Sequence, residues 1–517
     1  MSIKGFIIKG KYYDSVTLML VTKEVKKLEG IEDASIVMGT IQNKSILKSS
    51  GLLLDELKDA KDSELIIVIK GINDKVCEEG IKKIQDFLEV KKVTTEESVE
   101  FEPKSFEGAL KILPNANLAL ISVSGQYAAI EAMNALKKGL HVMIFSDNVP
   151  HDKTFEIKKY GREHGLLVMG PGCGTAIING APLGFANAVN KGNIGIVSAA
   201  GTGLQEVSCI ISNLGGGISQ AIGTGGIDVK KEFQGMSFLT GLEALIDDPD
   251  TEIITLISKP PDIEVMKNIG DVIKKTNKPV IACFLGVNAE KIKEIGAIPA
   301  KDLEHAALLS LSYSKGILMK FFENEIEQKN KELEGIAREM IKKLKKEQKY
   351  FRGLFQGGTL AYETQIILKD FIGNVYSNVP LELSYKLEDS LISKENSVID
   401  FGEEEFTIGR PHPQIDYELR NKRIIVEASD PNVAIIYLDV VIGYGTNPNP
   451  AEELIPVIKR AKEIGNTIFI ITVTGTNNDP QNKHILMKKL TETGAMVLDR
   501  NASATRLAGY ILKEIGG

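Results

Sequence analysis

Cysteine is scarce in this 517-residue chain: Cys77, Cys173, Cys209 and Cys283 lie far apart and form no CxxC pair. That spacing excludes a disulfide framework and a cysteine-based structural zinc site, and it fits a reducing, cytoplasmic setting. No apolar run reaches the ~18 residues of a membrane span. The opening MSIKGFIIKGKYYDS is too polar for a signal peptide. Positive charge is not in excess, with 62 Lys and Arg against 69 Asp and Glu, a net charge of −7 and a pI near 5.7. A nucleic-acid binder would need a basic face, so neither nucleic acid nor membrane is expected as a partner. The sequence also lacks a GxxxxGK[ST] loop, an HExxH or His/Asp cluster and a GxSxG elbow. P-loop chemistry, a metal, a further cofactor and a serine-hydrolase site are therefore not expected.

Composition is otherwise that of a globular protein, 43% apolar and 25% charged, and the length suits three or four domains. Residues 1–100 predict a ferredoxin-like or ACT-like α+β module, with strands at 3–8, 34–41 and 63–69 and helices at 15–28 and 74–87. The charged, aperiodic stretch 89–105 reads as a linker. Residues 101–190 alternate strand and helix, which predicts a Rossmann-like parallel sheet. Residues 191–322 and 351–517 each predict a flavodoxin-like parallel-sheet domain. A charged helix over 323–350, with one apolar face, joins them.

The last two segments read as a duplication. IGIVSAAGTGLQEV (194–207) aligns with RGLFQGGTLAYET (352–364), setting Gly201-Thr202 on Gly358-Thr359 and Glu206 on Glu363. IITLISKPPD (253–262) falls on IIYLDVVIGYG (435–445). GAIPAKDLEHAALL (296–309) falls on GAMVLDRNASATRLAGYIL (494–512).

Each repeat opens with strand, Gly-Thr, helix. A helix N-terminus presents unpaired N–H groups and about half a positive charge, and glycine lets a ligand approach the backbone. Two such termini facing one another would bind phosphate or carboxylate. The candidate binding residues are Ser198, Gly201, Thr202 and Gly203 in the first repeat and Gly357, Gly358 and Thr359 in the second. Gly225 in IGTGGID, and Gly443 and Gly445 in the loop after 434–441, join them because open α/β sheets bind ligands at strand C-terminal ends. In GRPHPQID (409–416), Arg410 suits an anion and His412 suits a carbonyl oxygen or a moving proton; these are the candidate catalytic residues. Asp439 lies inside an apolar strand and is expected as a buried, paired carboxylate. Cys173 is expected to pack as a small apolar residue rather than act as a nucleophile.

GPGCGTAI, NIGIVSAAGTGLQEV and AIGTGGID resemble the alpha subunit of succinyl-CoA synthetase and related acyl-CoA synthetases, and 434–517 is similar to the ligase domain of the beta subunit. In that superfamily the comparable loops hold phosphate at two opposed helix N-termini. Two departures stand out: residues 1–100 carry no glycine-rich CoA loop, and VNAEKIKEIGAIPA (287–300) carries no histidine where the family has its phosphorylated one. GLFQGGTLAYE, FTIGRPHPQID, LDVVIGYGTNPNPA and GTNNDPQ resemble the FdrA family. This resemblance implies the large subunit of an oxamate carbamoyltransferase, moving a carbamoyl group between oxalurate and phosphate to give oxamate and carbamoyl phosphate in purine and allantoin catabolism. It also implies two companion subunits in a hetero-oligomer, alongside possible homodimerisation. The alternatives are an acyl-CoA synthetase-like enzyme and a non-catalytic scaffold subunit.

Overall fold

The computed structural model describes residues 2–9, 13, 15–90, 103, 105–407 and 410–516. They divide into two compact units, one of residues 1–117, 122–124 and 408–411, the other of residues 118–121, 125–407 and 412–517.

The first unit contains β1 (Ser2–Ile8), α1 (Ser15–Lys26), β2 (Ile31–Met38), α2 (Ile41–Ser49), β3 (Leu65–Gly71), α3 (Asp74–Val90) and α4 (Phe106–Ile112). Its antiparallel sheet runs β1-β3-β2. The central strand, LIIVIKG, is apolar on both faces because both faces are covered. Leu65, Ile67 and Ile69 pack with Val25, Ile84 and Leu88 of α1 and α3. Ile66 and Val68 pack with Leu47, Leu52 and Leu57, as the two-residue strand period requires. Three strands are present among the described residues, and Ile41, expected to end a strand, starts a helix instead. Most of the expected linker, residues 91–102 and 104, lies outside the described residues.

The second unit opens with β4 (Leu118–Ile121), α5 (Gly125–Lys137), β5 (His141–Ile144), α6 (His151–His164) and β6 (Val168–Met169), a parallel sheet in the order β4-β5-β6. A hairpin follows, β7 (Thr175–Ile178) and β8 (Ala181–Gly184). Next come β9 (Lys191–Ser198), α7 (Gly201–Asn213), β10 (Ile218–Gly223), α8 (Met236–Asp247), β11 (Ile253–Ser258) and α9 (Ile263–Ile273). The stretch ends with β12 (Val280–Phe284), α10 (Ala289–Glu294), β13 (Ile298–Pro299) and α11 (Leu303–Lys315). The hairpin pairs with β10, giving the order β13-β12-β11-β9-β10-β7-β8. The segment after GPGCG thus belongs to this larger sheet and not, as expected, to the preceding one.

The connecting helix α12 spans Met319–Ile341. It begins earlier and ends sooner than its charge pattern predicted, and it buries Phe322, Leu333 and Ala337. The last segment is β14 (Tyr350–Phe355), α13 (Gly358–Ile372), β15 (Tyr376–Ser377), β16 (Ser397–Asp400), α14 (Glu404–Thr407) and α15 (Glu418–Ala428). It continues with β17 (Val433–Val441), α16 (Pro450–Ile464), β18 (Ile468–Thr474), α17 (Lys483–Thr491), β19 (Met496–Leu498) and α18 (Asn501–Gly516). Its sheet runs β15-β16-β14-β17-β18-β19.

The two large sheets share one topology. The orders β10-β9-β11-β12-β13 and β16-β14-β17-β18-β19 are both the flavodoxin-like 2-1-3-4-5 arrangement. One apolar cluster crosses both sheets, from Ile196 and Leu204 to Phe351, Leu360 and Leu507. The duplication is also written in two buried acids that cross over. Glu206 of α7 accepts from the Asn501 N–H at the start of α18. Glu363 of α13 accepts from the Leu303 N–H at the start of α11. Each repeat therefore caps the last helix of the other, because a helix start needs acceptors for its unpaired N–H groups. Glu206→Ala strands the buried Asn501 N–H and is expected to cost about 1–3 kcal/mol, measurable by urea unfolding.

Candidate anion-binding site

The N-termini of α7 and α13 face each other. A methyl group added at Gly357 would lie 2.7 Å from Cγ2 and 2.8 Å from Oγ1 of Thr202. One added at Gly203 would lie 2.9 Å from Cγ2 of Thr359. Glycine at 203 and 357 is what allows this approach. No side chain caps either helix, and Gly201 and Gly358 are half-buried while the residues after them are buried.

The turns before the two helices satisfy their own N–H groups by different means. In the first, Ala199 N–H donates to Ile257 O at 2.9 Å and Ala200 N–H to Ser198 Oγ at 3.0 Å. In the second, one carboxylate does both jobs: Asp439 accepts from Gln356 N–H at 2.7 Å and Gly357 N–H at 2.9 Å. The buried Arg420 donates to the Asp439 carbonyl and approaches its carboxylate at 3.2 Å. Asp439 is thus the buried, paired carboxylate its strand position predicted. Burial pushes it up to about 6, with Arg420 pulling the other way. With the turns satisfied internally, the N–H groups of Gly201-Thr202-Gly203 and Gly358-Thr359-Leu360 remain for a ligand, since a helix leaves its first turn of N–H groups without intrahelical acceptors.

His412 joins the same region. Its loop is fastened to both repeats: Gln356 Nε2 donates to Pro413 O, and Gln414 Nε2 donates to Gln205 Oε1 of α7 at 3.1 Å. Its Nδ1 accepts from Gln414 N–H at 3.2 Å, so the neutral ring carries its proton on Nε2. Burial pushes the imidazole down to about 4, and the ring is neutral near pH 7. Nε2 lies 3.6 Å from where a methyl on Gly402 would sit. The carboxylate of Asp400, which ends β16, occupies the space of any side chain at Gly358 and accepts from Gly402 N–H at 2.8 Å.

Other expected residues do different work. Ser198 Oγ is engaged with Ala200. Gly225, at φ +91°, packs on the Pro171 carbonyl. Its loop is held by Lys158, which donates to Thr224 O at 2.8 Å and pairs with the buried Asp228 at 3.4 Å. Gly443 and Gly445, with φ +132° and +72°, pack on the carbonyls of Ala186 and Gly184. These three glycines permit close packing and left-handed backbone. Arg410 is exposed and belongs to the first unit, whereas His412 belongs to the second. Cys173 is buried, its thiol pushed up to about 11, as expected of a packing residue.

Sequence reasoning missed Asp400 and Lys259. Burial pushes Asp400 up to about 7, opposed by the charge of Lys259 and assisted by Glu403 and Asp439. The ordinary value is 3.8, so the folded state keeps a proton the unfolded chain has lost. That stabilisation is present at low pH and is lost as pH rises through about 7. Between about pH 4.5 and 7, Asp400 is expected to make the melting temperature fall with rising pH, a contribution missing from Asp400→Asn. Equal slopes in a thermal-shift series would contradict this.

Over 99% of its own length and 98% of the other's, this chain is 40% identical to the protein YahF of Escherichia coli strain K12. The chain belongs to the YahF family. In this chain, residues 1–103 match the family described as AllF, heavy metal-associated domain, and residues 354–511 match the family described as CoA-ligase. Two further relatives are succinate–CoA ligase [ADP-forming] subunit alpha of Methanothermobacter thermautotrophicus, 29% identical over 35% of this chain, and malate–CoA ligase subunit alpha of Methylorubrum extorquens, also 29% over 35%. The chain spans 61% and 62% of the length of these two relatives. It is therefore a YahF-family protein whose residues 354–511 match the CoA-ligase family. No helix among the described residues is long and apolar enough to cross a membrane.

The words "heavy metal" do not fit the residues of this N-terminal domain. Residues 1–103 contain no histidine and one cysteine. That cysteine, Cys77, is buried, with its thiol directed at the carbonyls of Ser2 and Ile69. Among the described residues no group of three His, Cys, Asp or Glu could hold a metal ion.

Proposed function

We propose that this chain catalyses phosphate-dependent acyl transfer at the facing N-termini of α7 and α13, on a CoA thioester as in the ligases it resembles. The observation that carries this reading is the direct apposition of Thr202 and Gly203 with Gly357 and Thr359. The first-turn N–H groups and dipoles of the two helices stabilise a phosphate dianion and position one of its oxygens for attack. The neutral His412 donates from Nε2 to the carbonyl oxygen as negative charge develops there. The thioester C–S bond breaks, the phosphate oxygen takes its place, and the products are an acyl phosphate and a thiol.

A second reading keeps the phosphate and changes the carbonyl: phosphate attacks the ureido carbon of oxalurate, giving carbamoyl phosphate and oxamate. The absence of histidine from 287–300 is compatible with this reading as with the first, because in both phosphate attacks the carbonyl directly. In this reading two companion subunits complete a hetero-oligomer. A single experiment separates the two. The full chain, alone and with its two companion subunits, is supplied with phosphate and either succinyl-CoA or oxalurate, and followed by 31P NMR. An acyl phosphate signal from the thioester supports the first reading. Carbamoyl phosphate from oxalurate supports the second, and neither signal would refute both.

A further inference from the structure

Neither the duplication nor the glycine loops account for Lys259 and Asp400. Lys259 directly follows β11, at the strand end beside the N-terminus of α7. Its Nζ lies 5.4 Å from the ring centroid of Tyr362, in the first turns of α13. It is half-buried, and its charge acts on Asp400. Asp400 is 3% exposed. Its Oδ1 accepts from Gly402 N–H, while Oδ2 has no hydrogen-bond partner among the described residues and is aimed at Gly358, the first residue of α13. Asp400 thus presents one carboxylate oxygen, free of any donor among the described residues, to an uncapped helix start. That arrangement is understandable if a ligand completes it. The two groups come from different repeats, Lys259 from the first and Asp400 from the second, and each lies against the first turns of α13.

We infer that Lys259 and Asp400 are a cation–acid pair serving this site: Lys259 holds an oxygen of bound phosphate, and Asp400 relays the proton from phosphate to the leaving group. This rests on the phosphate-transfer reading above. One phosphate oxygen forms a bond to the carbonyl carbon, and the bond from that carbon to sulfur breaks. The sulfur leaves with the electron pair and takes the proton of Asp400, which regains one from the phosphate P–OH. Nothing is oxidised or reduced. The raised position of Asp400, near 7, suits a group that must both give and accept a proton near neutrality. Lys259, Glu403 and Asp439 set its charge environment, and the neutral His412 stands beyond Gly402.

The test uses the full chain with inorganic phosphate as the probe, read by isothermal titration calorimetry, and phosphate-dependent succinyl-CoA turnover across pH. Lys259→Gln is expected to weaken phosphate binding by about tenfold or more, the worth of one hydrogen bond to a charged group. Lys259→Arg is expected to restore most of it. Asp400→Asn is expected to keep phosphate binding within about threefold of wild type while removing the ionisation near pH 7 from the kcat profile. If wild type binds no phosphate, the underlying reading fails and this pair with it. If wild type binds and turns over but Lys259→Gln binds equally well, or Asp400→Asn keeps the same pH profile, only the present assignment is overturned. Circular dichroism and melting of each variant separate loss of fold from loss of function.

Discussion

Asp439→Ala is expected to destabilise the chain by about 3–5 kcal/mol, the cost of leaving a buried charge without its partner. Three losses coincide in that substitution. Arg420 is buried, and its Nε and Nη2 already lack partners, so it would lose its counter-charge. The N–H groups of Gln356 and Gly357 would lose their acceptor. The turn that aims α13 would also lose the fixed geometry on which the site depends. Asp439→Asn keeps one acceptor oxygen and is expected to lose less. Urea unfolding of the two variants beside wild type measures the difference, and an alanine variant within ~1 kcal/mol of wild type would contradict the role given to this pair.

Gly357→Val is expected to produce the largest functional loss for the smallest loss of fold. The backbone at 357 is extended, with φ −111° and ψ 108°, so valine is not strained there. Its N–H can still reach Asp439. What it cannot do is coexist with Thr202 at the present spacing, because the first added carbon already meets three atoms of that side chain at 2.7–2.9 Å. Relief means moving one helix N-terminus away from the other. Overpacking of this kind costs about 1–3 kcal/mol, whereas a displacement of about 1 Å in a positioned site can cost 10²-fold in rate. Phosphate-dependent turnover and unfolding free energy, measured on one preparation, test that split. Loss of both in proportion would mean that the contact is only structural.

These expectations rest on features of unequal legibility in the sequence. The two flavodoxin-like sheets were readable because a strand, Gly-Thr and a helix recur with acids in matching positions, and apolar strand cores are hard to mistake. The correspondence of Glu206 with Glu363 could be seen in the alignment, but their crossed capping of α18 and α11 could not, since it depends on the two repeats facing each other. Asp439 announced itself by interrupting a strand that is otherwise apolar. Asp400 also ends an apolar strand, SVID, and that signal was available but ambiguous, because an acid at a strand end is most often solvated. Lys259 gave no signal at all: a lysine before two prolines reads as a surface turn. Gly225, Gly443 and Gly445 are ambiguous for a related reason. Glycine after a strand looks the same in sequence whether it admits a ligand or the carbonyl of a neighbouring loop, and here all three admit carbonyls. The hairpin β7–β8 was missed because its strands are short and include Pro182 and Gly184, which read as loop.

The central claim is that the facing N-termini of α7 and α13 bind phosphate. Calorimetric titration of the full chain with inorganic phosphate, wild type beside Gly357→Val, tests it most directly. The account predicts a single saturable site in wild type that is lost in the folded variant. Absence of saturable binding in wild type, or equal binding by the two proteins, would contradict it.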